Sequence, residues 1–93
     1  MALEDDIKMA DRHVRQGERH IAEQRRRIGE LERHHLPAGR ADDLLQIFES
    51  LQSFHEFHLS RLLEKAERVK AAQNRDKDLI ARARRALART VRA

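Results

Sequence analysis

The chain has no cysteine, no tryptophan and no tyrosine, and only one proline and three glycines among its 93 residues. Without cysteine it forms no disulfide, no thiolate zinc site and no cysteine nucleophile. With so few turn-forming residues, the frequent reversals of a β-sheet protein are excluded. No stretch approaches the roughly 20 apolar residues of a membrane span, and no basic, apolar leader opens the chain. We therefore expect a soluble, cytoplasmic protein without a membrane span.

Isoleucine or valine recurs at every seventh residue in the first third of the chain, at Ile7, Val14, Ile21 and Ile28. A strict seven-residue apolar repeat is typical of helices that supercoil around a partner helix. Charged residues make up 39% of the chain and hydrophobic residues 40%, a composition typical of long helices. The repeat and the composition together predict an all-α fold with a coiled-coil-like seam.

The only proline interrupts this helical pattern at Leu36-Pro37-Ala38-Gly39. Proline disfavours helical geometry at the residue before it, so helix 1 is predicted over about 3–35 and helix 2 over about 40–73. Gly39 is predicted to supply the flexible turn position. Because the connection is short, the two helices should be antiparallel neighbours in a helical hairpin.

The charges divide the chain into a nearly neutral body and a basic tail. Residues 1–68 hold 12 Lys and Arg against 14 Asp and Glu, whereas residues 69–93 hold 8 against 2. We define a hairpin domain over 1–73 and a C-terminal tail over 74–93, which either continues helix 2 or forms a short third helix. Its candidate contact residues are Arg82, Arg84, Arg85, Arg89 and Arg92.

Three partners remain open for this tail besides plain solvation. Its arginines could contact nucleic-acid phosphates, an acidic protein or an anionic membrane surface. No aromatic residue accompanies them, which argues against stacking on single-stranded bases.

Helix 2 carries more apolar surface than one neighbouring helix can cover. Its apolar residues span an arc of roughly 180°, against the ~100° stripe of an ordinary surface helix. The excess predicts packing against a third helix or self-association, most simply a homodimer that forms a four-helix bundle. The residues predicted to carry self-association are Leu44, Ile47, Phe48, Leu51, Phe54, Phe57 and Leu62.

Polar and small residues interrupt the apolar seam of the hairpin. If the turn centres on residue 38, His20 lies opposite residue 56 and Gly17 lies opposite residue 59. This register predicts a polar layer in the seam that fixes its alignment, as single polar positions do in coiled coils. The predicted layer consists of Gly17, His20, Gln24, Gln52 and His55.

The six histidines of the chain keep two further hypotheses open. Imidazole nitrogens bind divalent transition metals, and a metal site would use His20, His55 and His58. Alternatively, clustered imidazoles could make the bundle respond to pH near neutrality. Apart from such a metal, we expect no cofactor.

Catalysis has little support in the sequence. None of the hydroxyl residues stands in a nucleophile–base pattern, and no glycine-rich phosphate loop or zinc-protease motif is present. We therefore predict a non-enzymatic interaction or scaffold module that acts through self-association and helix packing with an unidentified protein partner. A nucleic-acid-associated protein that uses the tail is the first alternative, and a histidine metal-binding bundle is the second.

The runs Ala10-Asp11-Arg12-His13-Val14 and Gly17-Glu18-Arg19-His20-Ile21 resemble a group of small, uncharacterised bacterial helical-hairpin proteins. In the second half, Leu44-Leu45, Phe48, His55, His58 and Leu62-Leu63 fit the same pattern. The resemblance covers roughly residues 8–65. It implies that Gly17 and the histidines belong to the design of the hairpin, and it implies no activity. The basic tail departs from the short form typical of that group.

Overall fold

The computed structural model describes residues 2–92 of the chain, with side chains described for 2–91. It contains two helices, α1 over Ala2–Arg33 and α2 over Gly39–Arg92, and no strand among the described residues. Contacts between α1 and the first part of α2 confirm the predicted all-α, hairpin-like packing. The basic tail continues α2 and does not begin a third helix.

Helix α1 ends in a hydrogen-bonded reversal built on His35. The His35 amide donates to the Glu32 carbonyl at 3.1 Å, and the Leu36 amide donates to the Leu31 carbonyl at 2.9 Å. This pair of bonds is the Schellman motif, which needs a left-handed residue just after the helix. His35 takes that conformation, with φ of 55°. The chain therefore turns back alongside the last turn of α1 before Pro37 is reached.

Helix α2 begins at Gly39, two residues after Pro37. The Ala38 carbonyl accepts the first helical hydrogen bond, from the Asp42 amide at 2.8 Å. Gly39 is the first residue of the helix and does not have a positive φ, so the prediction that it supplies the turn position is wrong. The reversal lies at His35 because the amides of His35 and Leu36 satisfy carbonyls at the end of α1.

The seam of α1 follows the predicted heptad. Its less exposed positions include a series at spacings of three and four, at Leu3, Ile7, Ala10, Val14, Gly17, Ile21, Gln24, Ile28 and Leu31. The less exposed positions of α2 up to residue 62 include the same spacing, at Ala41, Leu45, Phe48, Gln52, His55, Leu59 and Leu62. Both helices therefore present heptad seams, as expected for knobs-into-holes packing.

This core is thin. Among the described residues, only Ala10 and Ile28 are buried hydrophobic residues, and Gln24 and Gln52 are the buried polar ones. Two helices alone cannot enclose large side chains, because each contacts the other along a single stripe. The hairpin therefore leaves apolar surface exposed to solvent.

Contacts divide the chain into two compact units, Met1–Leu62 and Leu63–Ala93. The boundary lies before the predicted one at 73/74, and α2 passes through both positions without interruption. In the second unit, every described side chain is exposed except three alanines of intermediate exposure. Neither helix contains, within its described residues, a stretch apolar enough to cross a bilayer.

Candidate functional site

Two buried glutamines, one on each helix, donate hydrogen bonds to the backbone of the other helix. Gln24 Nε2 on α1 donates to the Ala41 carbonyl of α2 at 2.9 Å. Gln52 Nε2 on α2 donates to the Val14 carbonyl of α1 at 2.8 Å. Their exposed fractions are only 4% and 6%, so both bonds are shielded from water. A buried amide that bonds to the opposite backbone fixes the alignment of the two helices, because sliding would leave it unpaired.

Gly17 makes room for the second of these glutamines. A Cβ atom built on Gly17 would overlap Gln52 Oε1 and would lie 2.6 Å from Gln52 Cδ. The amide group of Gln52 therefore occupies the notch that glycine leaves in α1. Gln52 Oε1 is buried and has no hydrogen-bond partner, so only its Nε2 is satisfied. This amide pays a desolvation cost that an apolar side chain would not.

Aromatic rings flank this notch on one side of the hairpin. The rings of His13 and His55 face each other with centroids 5.3 Å apart, and those of His20 and Phe48 are 5.8 Å apart. Phe54 contacts His55 edge-on at 5.9 Å and stacks on His58 at 6.4 Å. The rings of α2 thus run from the seam to the outer surface without interruption.

The same side of the hairpin carries a central cleft of about 220 Å³. None of its lining residues is Asp, Glu, Lys or Arg; they are His13, Gln16, Gly17, His20, Phe48, Leu51, Gln52 and His55. A second cleft shares His13 and extends to His58 and Leu62, and a third shares His20 and extends to Leu44. Because neighbouring clefts share residues, they form one groove along this side, which we call the histidine groove.

The predicted register of the hairpin is wrong by about two turns of helix. His20 lies opposite Phe48 and not residue 56, and Gly17 lies opposite Gln52 and not residue 59. The midpoint of the facing residues is therefore near His34, whereas the prediction placed it at residue 38. The Schellman reversal explains the difference, because it turns the chain back at His35, before Pro37 is reached.

The structure brings together four of the five residues of the predicted polar layer. Gly17, His20, Gln52 and His55 line the central cleft. Gln24 lies in the neighbouring cleft and bonds to Ala41 instead. His13, which is not part of the predicted layer, faces His55 across the seam. A signal was available, because His13 precedes His20 by one heptad and so shares its position on α1.

The residues of the predicted metal site do not come together as proposed. His20 faces Phe48, while His55 faces His13. Within the described part of the chain, no group of three or more His, Asp or Glu side chains is arranged to hold a metal ion. The shifted register separates His20 from the histidines of α2 on which the hypothesis depended.

The residues predicted for self-association fall into two groups. Phe48 and Leu62 are of intermediate exposure and belong to the seam with α1. The others remain open to solvent, with exposed fractions between 38% and 64%; these are Leu44, Ile47, Leu51, Phe54 and Phe57. Their first four members repeat at spacings of three, four and three, so they form a second heptad stripe beside the seam. We call these five residues the outer stripe.

A cluster of ion pairs on α1 lies at one end of the histidine groove, where Glu23 and Arg27 line the cleft that extends to Leu44. Arg26 donates to Glu23 at 2.8 Å and to Glu30 at 2.9 Å, and Arg27 also donates to Glu23 at 3.3 Å. The pKa of Glu23 is lowered to about 2 from its ordinary value of 4.5, chiefly by the hydrogen bonds from Arg26. The positive charge of Arg26, and the hydrogen bond and charge of Arg27, contribute to the lowering of this pKa. The pKa of Arg26 is raised in turn, chiefly by its hydrogen bond to Glu23.

The arginines predicted as tail contacts all lie on α2. Arg82, Arg84, Arg85 and Arg89 are exposed, and Arg82 pairs with Asp78 at 3.2 Å. The side chain of Arg92 lies outside the described part of the structure.

Comparison with protein-family models, with curated proteins and with solved structures finds no match to this chain. The geometry of the hairpin and the charges of the second unit therefore carry the functional inferences.

Proposed function

We propose that the chain is a non-enzymatic helical interaction module that self-associates through the outer stripe and the adjoining histidine groove. The observation that carries this proposal is the exposure of five large apolar side chains in one continuous stripe. In the assembly, α1 and α2 of two copies form a four-helix bundle.

The size of the apolar surface supports a partner of this kind. With roughly 150–200 Å² available to each side chain of this size, the outer stripe exposes about 500 Å². A standard interface buries about 800 Å² on each partner, of which about 60% is apolar. The outer stripe alone therefore provides the apolar area of one such interface.

The order of residues in the stripe supports a second copy as the partner. Its spacing of three, four and three reads the same in both directions along the helix. When two copies of α2 pair antiparallel about a two-fold axis, Leu44 meets Phe54 of the other copy and Ile47 meets Leu51 of the other copy. A closed two-fold dimer needs such a self-complementary patch.

The charge distribution does not oppose this pairing. The central cleft beside the stripe is lined by apolar, amide and imidazole side chains. No row of like charges is therefore brought together at the centre of the dimer, where charged residues are usually depleted.

Sedimentation equilibrium of the whole chain, measured from micromolar to millimolar concentration, tests the proposal. We expect twice the 10.9 kDa chain mass, and a weaker dimer for Phe54→Ala and Ile47→Ala by about 10- to 100-fold in Kd each. Leu87→Ala is the matched control, because Leu87 is 65% exposed and Phe54 is 64% exposed, yet Leu87 lies in the other unit. A monomer at all concentrations, or equal weakening by Leu87→Ala, contradicts the proposal.

A further inference from the structure

Arginine recurs at every seventh residue of the second unit, at Arg68, Arg75, Arg82 and Arg89. Seven residues make nearly two turns of helix, so these side chains lie on one side of α2, about 10.5 Å apart along its axis. All four are exposed. We call them the arginine row; it runs about 30 Å along the helix.

The positive charge of this row is largely unneutralised. In the hairpin, several arginines pair with carboxylates, as in the pair Arg15–Asp11 at 3.0 Å and the cluster around Glu23. In the arginine row, among described residues, only Arg82 has a carboxylate partner, Asp78. Residues 63–93 hold 10 Lys and Arg against 4 Asp and Glu, a net charge of +6, whereas residues 1–62 hold 10 against 12, a net charge of −2.

The residues between the arginines leave the row open to a charged partner. On the same side of the helix lie Ala72, Leu79 and Ala86, of which two are too small to shield a guanidinium group. The heptad seam of this segment is interrupted by Gln73 and Asp76. An apolar helix docked along it would have to bury the Asp76 carboxylate without a partner, which is costly. The arginine row itself is therefore suited to a polyanion.

We propose that the arginine row binds duplex nucleic acid through its phosphates. The guanidinium group donates two parallel hydrogen bonds to a phosphate and stays charged at every physiological pH. Residues 63–93 contain no aromatic side chain, so the stacking that holds unpaired bases is missing and a duplex is the better ligand. Phosphate contacts carry no sequence information, so binding is independent of base sequence.

Fluorescence anisotropy of a labelled 20-base-pair duplex, titrated with the whole chain at several salt concentrations, tests this inference. Each phosphate contact contributes a slope of about −0.9 to log K against log salt concentration, so four contacts give about −3.6. The fourfold change of the arginine row to glutamine should remove most of that slope and weaken binding at least 100-fold at low salt. Glutamine keeps the helix propensity of arginine, and circular dichroism checks that α2 persists.

A charge-matched control distinguishes an effect of the arginine row from an effect of the net charge of the chain. Changing Arg12, Arg19, Arg33 and Arg40 to glutamine removes the same charge from exposed positions of the hairpin. We expect less than a threefold loss of duplex binding from this control. An equal loss in both fourfold variants, or the absence of salt-dependent duplex binding by the native chain, overturns the inference.

Parallel titrations identify the class of polyanion. Tighter binding to the separated single strand than to the duplex overturns the duplex proposal. Binding to polyglutamate or to anionic phosphatidylserine vesicles, with no duplex binding, assigns the row to an acidic protein or a lipid surface and also overturns it. Phe54→Ala weakens the proposed dimer but should leave the slope of log K against log salt concentration, counted per chain, unchanged. A failure of the dimer proposal is therefore distinguishable from a failure of this inference.

Discussion

The side chain of Gln52 on α2 packs directly against the backbone of Gly17 on α1. The carboxamide of Gln52 fills the space where any other residue at position 17 would carry its Cβ atom. From there, Gln52 Nε2 reaches the Val14 carbonyl at 2.8 Å. A glycine in a helix interior costs about 1 kcal/mol relative to alanine, and here it permits a buried hydrogen bond between the helices.

Gly17→Ala should lower the free energy of unfolding by about 1–2 kcal/mol. The added methyl group displaces a buried amide and breaks its hydrogen bond, and this loss outweighs the gain of about 1 kcal/mol in helix propensity. Chemical denaturation checks the change.

In a Gln52→Ala background the space is empty, so Gly17→Ala should become stabilising by about 1 kcal/mol. Gly29→Ala is the control: its Cβ would lie 3.7 Å from Arg33 Nη1, an ordinary contact, and it should be stabilising. The same sign for Gly17→Ala in both backgrounds would contradict the notch.

The two buried glutamines should respond differently to methionine, which is similar in length and apolar. Gln52→Met loses one hydrogen bond but also removes the unpartnered Oε1, so stability should be unchanged or higher by up to about 1 kcal/mol. Gln24→Met loses its bond to Ala41 without that benefit and should be destabilising by about 1 kcal/mol. Paired urea denaturation curves measure both. A larger loss of stability at position 52 than at position 24 would show that the unpartnered Oε1 does not destabilise the fold.

His35→Gly should raise the free energy of unfolding by about 0.5–1 kcal/mol. His35 holds a left-handed backbone, with φ of 55°, which costs a residue with a Cβ atom more than it costs glycine. Thermal unfolding followed by circular dichroism measures the effect. His34→Gly is the neighbouring control and should be destabilising, because His34 does not have a positive φ. The idea fails if the two glycine variants shift the midpoint in the same direction.

Glu23 should contribute a small, acid-sensitive part of the stability of α1. Its pKa in the folded chain is about 2, below the ordinary 4.5, so its contribution is present above pH 4.5 and is lost as the pH falls towards 2. Glu23→Gln should therefore lower the melting temperature at pH 7 and have little effect at pH 2. Melting curves at low salt, measured across this range, test the sign. Glu18→Gln controls for net charge, and the difference between the two variants should vanish at 0.5 M salt.

Much of the fold follows from local sequence signals. The heptad of Ile7, Val14, Ile21 and Ile28 predicts α1, and Pro37 locates the break to within a few residues. The candidate site was predicted less well. Gly17 and Gln52 do lie together, but His55 faces His13 and not His20. The reason is that the register depends on how the chain reverses, and a histidine in the left-handed conformation carries no clear signal in the sequence.

The sequence by itself determined that the chain is helical, that its helices pair along heptad seams and that its positive charge gathers at the C-terminal end. These properties depend on residue spacing and composition, which act locally along a helix. Only the tertiary structure decided which part of the apolar arc of α2 faces α1. Phe48 turns towards the seam and Phe54 towards solvent, although both lie within that arc. The arc is wider than one helix can cover, so the reversal at His35 and the fit of Gln52 into the Gly17 notch select the face that remains exposed.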